Sequence, residues 1–255
     1  MIDLHSHILH GVDDGAASLA DSVEIARAAV ADGITAIAAT PHVRDDWPTD
    51  PSVMEERVAE LRSELEERRV PLDLLTGAEI ALDWLTRLGE DELRRFGLAG
   101  NPRYVLVETP YYGWPSALPD GLFALREAGF TPVLAHPERN LEVQAHPERL
   151  LGLVDGGVLI QVTAASVDGR IGKRPRECAR RLLEGRLVHM IASDAHHAAV
   201  REVGLRTATQ AVGGGALARW LTYDVPAAVV ADEPIPQRPA PERRRGGWLG
   251  KLFEV

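Results

Sequence analysis

The chain has 255 residues, 45% of them hydrophobic, enough for one large barrel or two modest domains around a buried core. Its formal charge of −10 argues against a broad nucleic-acid-binding surface, and its single cysteine, Cys178, excludes an intrachain disulfide and any cysteine-rich zinc or iron–sulfur site. No run approaches the roughly 20 apolar residues that span a bilayer, and no basic-apolar leader precedes the first histidines, so a cytoplasmic protein is expected.

In the opening stretch, Ile2 and Leu4 alternate with Asp3 and His5 as in a half-buried strand, which projects His5 and His7 from one side. His10, Asp13 and Asp14 come next, at a turn. A lone H-x-H is more often a pair of exposed strand-end histidines than a ligand pair, so its meaning depends on how many similar strand exits the rest of the chain supplies. Ser18 to Asp21 resembles a capping box and opens an Ala-rich helix over residues 19–32, closed by Gly33. The β-branched run 34–40 is a second strand that delivers His42 from its end. Asp50-Pro51 then caps an amphipathic helix to Arg69, with Val53, Val58, Leu61 and Leu65 as its apolar positions.

A third strand over 72–79 ends on Glu79, and a fourth over 104–108 ends on Glu108, with a short helix at 91–96 between them. After a helix over 115–128, the strand 131–135 runs into His136-Pro-Glu-Arg139. A helix over 147–155 leads to the strand 158–162, whose Gln161 is out of place in a fully buried strand and is expected to face the site. A helix from Arg174 to Glu184 precedes the seventh strand, 187–192, which runs into Asp194 and His196. Residues 199–222 look helical around Gly213-Gly-Gly215, and the Pro-rich stretch beyond Ala231 reads as a linker or mobile arm.

Seven strand–helix alternations imply a parallel sheet, and seven is close enough to eight to favour a barrel, whose active site sits at the C-terminal rim. His5/His7, His42, Glu79, Glu108, His136 and Asp194/His196 lie just past six of the seven strand ends. Histidine with carboxylate is a donor set for zinc, manganese or iron, and the set is too large for one ion, so two or three divalent or trivalent metals are expected. Glu79 is the best bridging carboxylate by chemistry. Paired metals suit hydrolysis of a phosphate ester through a metal-activated hydroxide. Arg139 and Arg201 could hold the remaining phosphate oxygens or be surface ion-pair arginines. Tyr111, Tyr112 and Trp114 could wall a phenyl ring or simply pack the loop. A cysteine phosphatase would need an arginine six residues beyond its cysteine; Glu184 stands there, and Cys178 reads as a packed helix residue.

The segments IDLHSHILHGVDDG (2–15), ATPH (39–42), GAEI (77–80), LVE (106–108), PVLAHPER (132–139) and ASDAH (192–196) resemble the polymerase and histidinol phosphatase (PHP) superfamily. Within it they resemble the bacterial tyrosine phosphatases of the capsule-regulating CpsB/YwqE kind. The resemblance ends near residue 225 and implies a distorted (β/α)7 barrel, placed over 1–231; composition alone assigns 232–255 to a Pro-rich linker and a basic, aromatic tail. It implies one metal on His5, His7, Glu79 and Asp194, a second on Glu79, Glu108 and His136, and a third on Asp14, His42 and His196. Arg139 and Arg201 match phosphate-site arginines, while His10 and His197 are expected to face solvent as non-ligands. The implied substrate is a phosphotyrosine protein, such as a membrane-associated tyrosine kinase of exopolysaccharide synthesis. A small-molecule phosphatase such as histidinol phosphatase, or a non-enzymatic PHP scaffold, is the alternative. Residues 242–255 hold four basic and two acidic residues beside Trp248, Leu249, Leu252 and Phe253, and are expected to touch the inner face of the membrane, the protein's own acidic body or a neighbouring subunit.

Overall fold

Strand Ile2–Ser6 (β1) is buried along its whole length, and the strand beside it is interrupted by a proline. In the computed structural model, which describes residues 1–198 and 203–240, the expected strand 34–40 is Ala36–Ala39 (β2), and the chain resumes beyond Pro41 as His42–Arg44 (β3). Proline lacks the N–H a ladder needs. A short antiparallel partner, Trp47–Pro48 (β4), is two residues long and leaves no periodicity in the sequence. The expected strand 72–79 divides in the same way into Asp73–Leu75 (β5) and Glu79–Ala81 (β6). Gly77 lies at that break, where a Cβ would sit 3.2 Å from Thr40 Cγ2. The two interrupted strands thus pass side by side at their breaks, and Glu79 N donates to the Pro41 carbonyl at 3.0 Å.

The interruptions divide the sheet. β1, β2 and β5 form a parallel three-stranded sheet. The second sheet runs β10 (Met190–Ala192), β9 (Leu159–Thr163), β8 (Thr131–Ala135), β7 (Tyr104–Glu108), β6, β3, β4, and every pairing in it but β3–β4 is parallel. Beyond β1 and β10 the chain bridges the two sheets: Ser6 pairs in parallel with Ala195, His7 N donates to Ala195 O and Asp194 N to His5 O, both at 2.9 Å.

Parallel strands require crossovers, and helices supply them. Helix α1 (Leu19–Asp32) has the full capping box between Ser18 and Asp21, and Gly33 closes it at φ 92°. Helix α2 (Pro51–Glu67) is capped by Asp50 and buries Met54, Val58, Leu61 and Leu65. Val53, expected on that face, is exposed, because the spacing 54, 58, 61, 65 keeps a tighter stripe than one that starts at 53. Helices α3 (Glu90–Arg95), α4 (Ala117–Glu127), α5 (Leu141–Ala145), α6 (Leu151–Asp155), α7 (Ala164–Asp168) and α8 (Lys173–Glu184) come after it in chain order. The expected strand 187–192 is shortened to β10.

Over the stretch 199–222, expected to be helical around Gly213-Gly-Gly215, the described chain has helices Leu205–Ala211 and Gly215–Arg219 and a π-turn at Trp220–Asp224, followed by a further helix Val225–Ala231. Gly213 and Gly214, both at positive φ, separate the first two. The expected linker is not a free arm over its described part. Trp220 Nε1 donates to Pro236 O at 2.9 Å, Arg238 donates to the carbonyls of Val188 and Leu183 at 3.0 Å each, and Ile235 packs against the core. The basic, aromatic tail from 241 lies outside the described residues. Among the described residues no helix is long and apolar enough to cross a membrane.

Candidate metal centre

The C-terminal exits of the parallel strands share one rim, and the imidazoles there are aimed by their outer nitrogens. His5 Nδ1 lies 3.0 Å from Gln161 Oε1, and His7 Nδ1 lies 2.7 Å from Asp13 Oδ2. Asp13 is fixed in turn by Gly15 N at 3.0 Å and His42 N at 3.1 Å. With their Nδ1 atoms held, the two rings turn their Nε2 atoms toward each other, 3.3 Å apart. His5 Nε2 is 3.4 Å from Glu79 Oε2 and 3.5 Å from Asp194 Oδ1; His7 Nε2 is 3.5 and 3.4 Å from the same two atoms. Ligands 2.0–2.1 Å from a tetrahedral ion stand about 3.3–3.4 Å apart, so His5, His7 and Asp194 are spaced as donors to one cation, with Glu79 at a like distance from both imidazoles.

Glu79 is the hub of the site. Its Oε1 is 2.6 Å from His136 Nε2, and its Oε2 is 3.0 Å from His42 Nδ1. Glu79 Oε2 and His42 Nδ1 are both buried and neither makes a hydrogen bond, which is costly for polar atoms unless a cation satisfies their lone pairs. Glu108 Oε2 is 3.9 Å from His42 Nδ1. On the outer side, Asp14 Oδ1 is 3.5 Å from both His42 Nε2 and His196 Nε2, and the His196 ring stacks on His7 with centroids 4.1 Å apart. The donors fall into four overlapping groups: His5/His7/Asp194, His5/Glu79/His136, His42/Glu79/Glu108, and His7/Asp14/His42/His196. All nine expected ligands, His5, His7, Asp14, His42, Glu79, Glu108, His136, Asp194 and His196, converge on one place. His7 joins Asp14, His42 and His196 in the outer group, and His42 stands beside Glu79 and Glu108, overlaps that the sequence did not reveal.

The charge of the site calls for cations. Burial alone would raise the carboxylates and lower the histidines, but mutual attraction outweighs it: His5 and its neighbours hold Glu79 and Asp194 well below the carboxylate range. Burial likewise opposes the charged form of His5, yet Glu79 and Asp194 raise it to about 9. Glu108 is raised by burial and by the nearby Glu79 charge. His136 and Asp194 also hold left-handed backbones, φ 38° and 56°, which cost a non-glycine residue roughly 1–2 kcal/mol and persist where surrounding structure enforces them.

Two arginines border the cluster. Arg139 Nη1 donates to Asp194 Oδ2 at 2.6 Å, and its guanidinium lies 4.7 Å over the Tyr111 ring, which itself stacks on His136. Arg44, which follows no strand-end ligand directly and stands out by no motif, donates to Glu108 Oε1 at 3.0 Å. Its position two residues beyond His42 on the same short strand was the available signal. Arg201 lies outside the described residues. Tyr111 borders the site, Tyr112 is largely exposed, and Trp114 packs partly buried against the core, so the three do not form one wall. His197 is exposed as expected, but His10 is partly buried with its Nε2 3.5 Å from Glu60 Oε2, held by α2 instead of facing solvent. Cys178 is buried in α8, and burial pushes its thiol up to about 12.

A model of the capsular polysaccharide synthesis CpsB/CapC family matches residues 1–229. The chain is 36% identical over 258 residues to the tyrosine-protein phosphatase YwqE of Bacillus subtilis, covering 99% of each. It is 31% identical over 249 residues to the tyrosine-protein phosphatase CpsB of Streptococcus pneumoniae, covering 92% of this chain and 100% of the relative. The fold superposes with a TM-score of 0.84, at 35% identity over 96% of this chain and 100% of the other, on a structure from the work on those two proteins, which describes them as unique metal-dependent tyrosine phosphatases.

Proposed function

The chain belongs to the CpsB/CapC family, and from that premise we propose that it is a metal-dependent phosphatase that hydrolyses phosphotyrosine on proteins of capsule or exopolysaccharide synthesis. The observation that carries the reading is Glu79 at the hub of nine converging donors with Arg139 at their edge. His5, His7, Glu79 and Asp194 would hold one ion, Glu79, Glu108 and His136 a second, and Asp14, His42 and His196 a third, each manganese, iron or zinc. Bound there, such ions bring water into the nucleophilic range near neutral pH and neutralise phosphoryl charge. The two sheets, with their bridge beyond β1 and β10, are read as a distorted seven-stranded PHP barrel over residues 1–231.

The protein's own groups complete the chemistry. Arg139 is already turned into the site by Asp194, and its remaining N–H groups can bind phosphate oxygens as charge on them grows; Arg201 is assigned the same role. Gln161 and Asp13 fix the tautomers of His5 and His7, so each presents a bare Nε2. Tyr111 stays a neutral phenol, since burial pushes it up to about 12, and so offers the substrate ring a flat face without charge. Cys178, a buried and protonated thiol, takes no part. The cognate substrate would be a membrane-associated tyrosine kinase, met at the cytoplasmic face with help from the tail. Metal analysis of the purified protein, with turnover of a phosphotyrosine peptide and of histidinol phosphate side by side, tests the assignment. Metal-dependent turnover of the peptide is expected; preference for histidinol phosphate would replace it with a small-molecule phosphatase.

A further inference from the structure

Beside the metal centre lies a hollow of about 260 Å3, lined by Tyr111, Tyr112, Arg139, Leu141, Ile171 and Pro175. Four of its walls are large hydrophobic side chains left in water: Tyr111 at 40%, Tyr112 at 79%, Leu141 at 44% and Ile171 at 42% exposure. Only nine such side chains occur among the described residues, so nearly half gather at one spot, and clustered exposed apolar surface marks interaction sites where scattered residues do not. We propose that this hollow receives an apolar side chain adjacent to the phosphotyrosine in the substrate peptide. The proposal rests on the phosphatase reading.

Three observations define the occupant. The hollow is continuous with the reaction site: Arg139 forms its inner wall while bound to Asp194, and Tyr111 has its ring against His136. It is smaller than the roughly 300–1,000 Å3 pockets that enclose whole small molecules, which suits one side chain of a longer ligand. It is also built in advance. Buried Asn140 donates through Nδ2 to the carbonyls of Pro110 and Gly113, at 2.6 and 2.7 Å, and Leu141 N donates to Tyr111 O at 3.1 Å. These bonds tie the loop after β7 to the start of α5, so the apolar walls need little ordering on binding. The opposite wall begins α8 with Lys173, Arg174, Pro175 and Arg176, and among the described residues none of these three cations is in an ion pair. A basic edge on a protein of net charge −10 favours an acidic peptide over a second copy of this acidic chain.

The test uses the metal-loaded full chain with free phosphotyrosine and two sets of phosphotyrosine peptides, carrying Leu or Ser immediately before or after the phosphotyrosine. Partial burial of a leucine corresponds to about tenfold in kcat/KM, and the preference should sit in KM. Ile171→Ser and Leu141→Ser, both at exposed positions, should each reduce the Leu preference to within about twofold while free phosphotyrosine turns over as in the parent. Circular dichroism checks their fold. Equal efficiencies on Leu and Ser peptides, with free phosphotyrosine still hydrolysed, would overturn the hollow and leave the phosphatase reading intact. A preference that survives both substitutions would overturn it too. Self-association of the parent that Ile171→Ser abolishes would reassign the patch to a contact between copies. No hydrolysis of any phosphotyrosine substrate would remove the phosphatase reading and the hollow with it.

Discussion

Asp13 and Asp14 are neighbours with opposite tasks, and the difference lies in which way each carboxylate turns. Asp14 faces His42 and His196 at the outer edge of the cluster, while Asp13 is buried behind His7, accepts from Gly15 N, His42 N and the His7 ring, and is held down to about 2 because His7 outweighs its burial. Sequence could place an acidic pair after H-x-H but not decide which member points at the donors, since that depends on the turn closed by Gly15. A Cβ at Gly15 would sit 2.1 Å from the His7 carbonyl, so only glycine lets the turn fold back. Asp13→Asn should retain the fold, because its backbone partners can still be met, but an amide cannot enforce the Nε2-bare tautomer of His7. Metal affinity is expected to fall about 10–100-fold, as for lost outer partners of ligand histidines. Chelator competition measures it, and unchanged affinity would mean that Asp13 is only a turn residue. Glu79→Gln acts on the centre itself: it removes the one carboxylate common to two of the four donor groups and should lower turnover by orders of magnitude in a folded protein, a result that normal kinetics would contradict.

At the scale of elements, periodicity and strand ends point to eight of the nine converging donors, because a strand exit is a local property of a few residues; Asp14, in the turn beyond β1, is singled out only by the family resemblance. What the sequence did not disclose is the break of two strands at Pro41 and Gly77, since a proline after a β-branched run reads as an end and not as a step between sheets. That step brings His42 beside Glu79 in register, and with it the His42/Glu79/Glu108 grouping. The β9–β10 pair carries a separate consequence. His189, just before β10, accepts the Ile160 N–H on Nδ1 at 3.1 Å, and burial together with the nearby Arg238 charge holds its pKa down to about 4. Its unfolded value is near 6.5, so the folded chain binds fewer protons between these limits. Stability from the neutral ring is whole above about pH 6.5 and is lost as the pH falls toward 4. Urea titrations of metal-free protein at pH 7.5 and 5 should show the parent losing about 2 kcal/mol more than His189→Gln over that interval. Equal losses would show that the ring does not carry the acid sensitivity.

The same elements set where the folded body ends. Composition placed a boundary at Ala231, because proline-rich chain cannot form a helix or an inner strand, yet such chain can still pack in extended form. Trp220 Nε1 and the Arg238 guanidinium make three hydrogen bonds that tie residues 236–238 to the body, worth roughly 0.5–1.5 kcal/mol each when net contributions are counted. A chain ending at Ala231 should therefore be less stable than one ending at Ala240 by about 2–4 kcal/mol. Denaturant unfolding of the two truncations decides whether 232–240 is part of the folded unit or a passive connection, with equal midpoints favouring the latter.

Across the whole molecule, the donors come from both sheets and from chain segments 191 residues apart, His5 to His196, so ions held there would add to the ties the backbone makes at the breaks of Pro41 and Gly77 and at the bridge beyond β1 and β10. Four carboxylates among nine converging donors, three of them buried and Asp14 exposed, repel one another in a protein already at net −10 unless cations intervene, and the raised His5 and His7 reflect the same demand. Metal binding and folding should then be coupled. An ion present at about 100 times its Kd stabilises the native state by about 2.7 kcal/mol. At about 2–4 °C per kcal/mol for a chain of this size, chelation should lower Tm by about 5–10 °C for each ion removed. Turnover should vanish with it, and both should return on adding manganese, iron or zinc. Calorimetric scans with and without chelator, then metal titration, separate the possibilities: a Tm indifferent to chelation with activity lost would mean that Asp13, Gln161 and the strand frame assemble the site unaided, and that the ions serve chemistry alone.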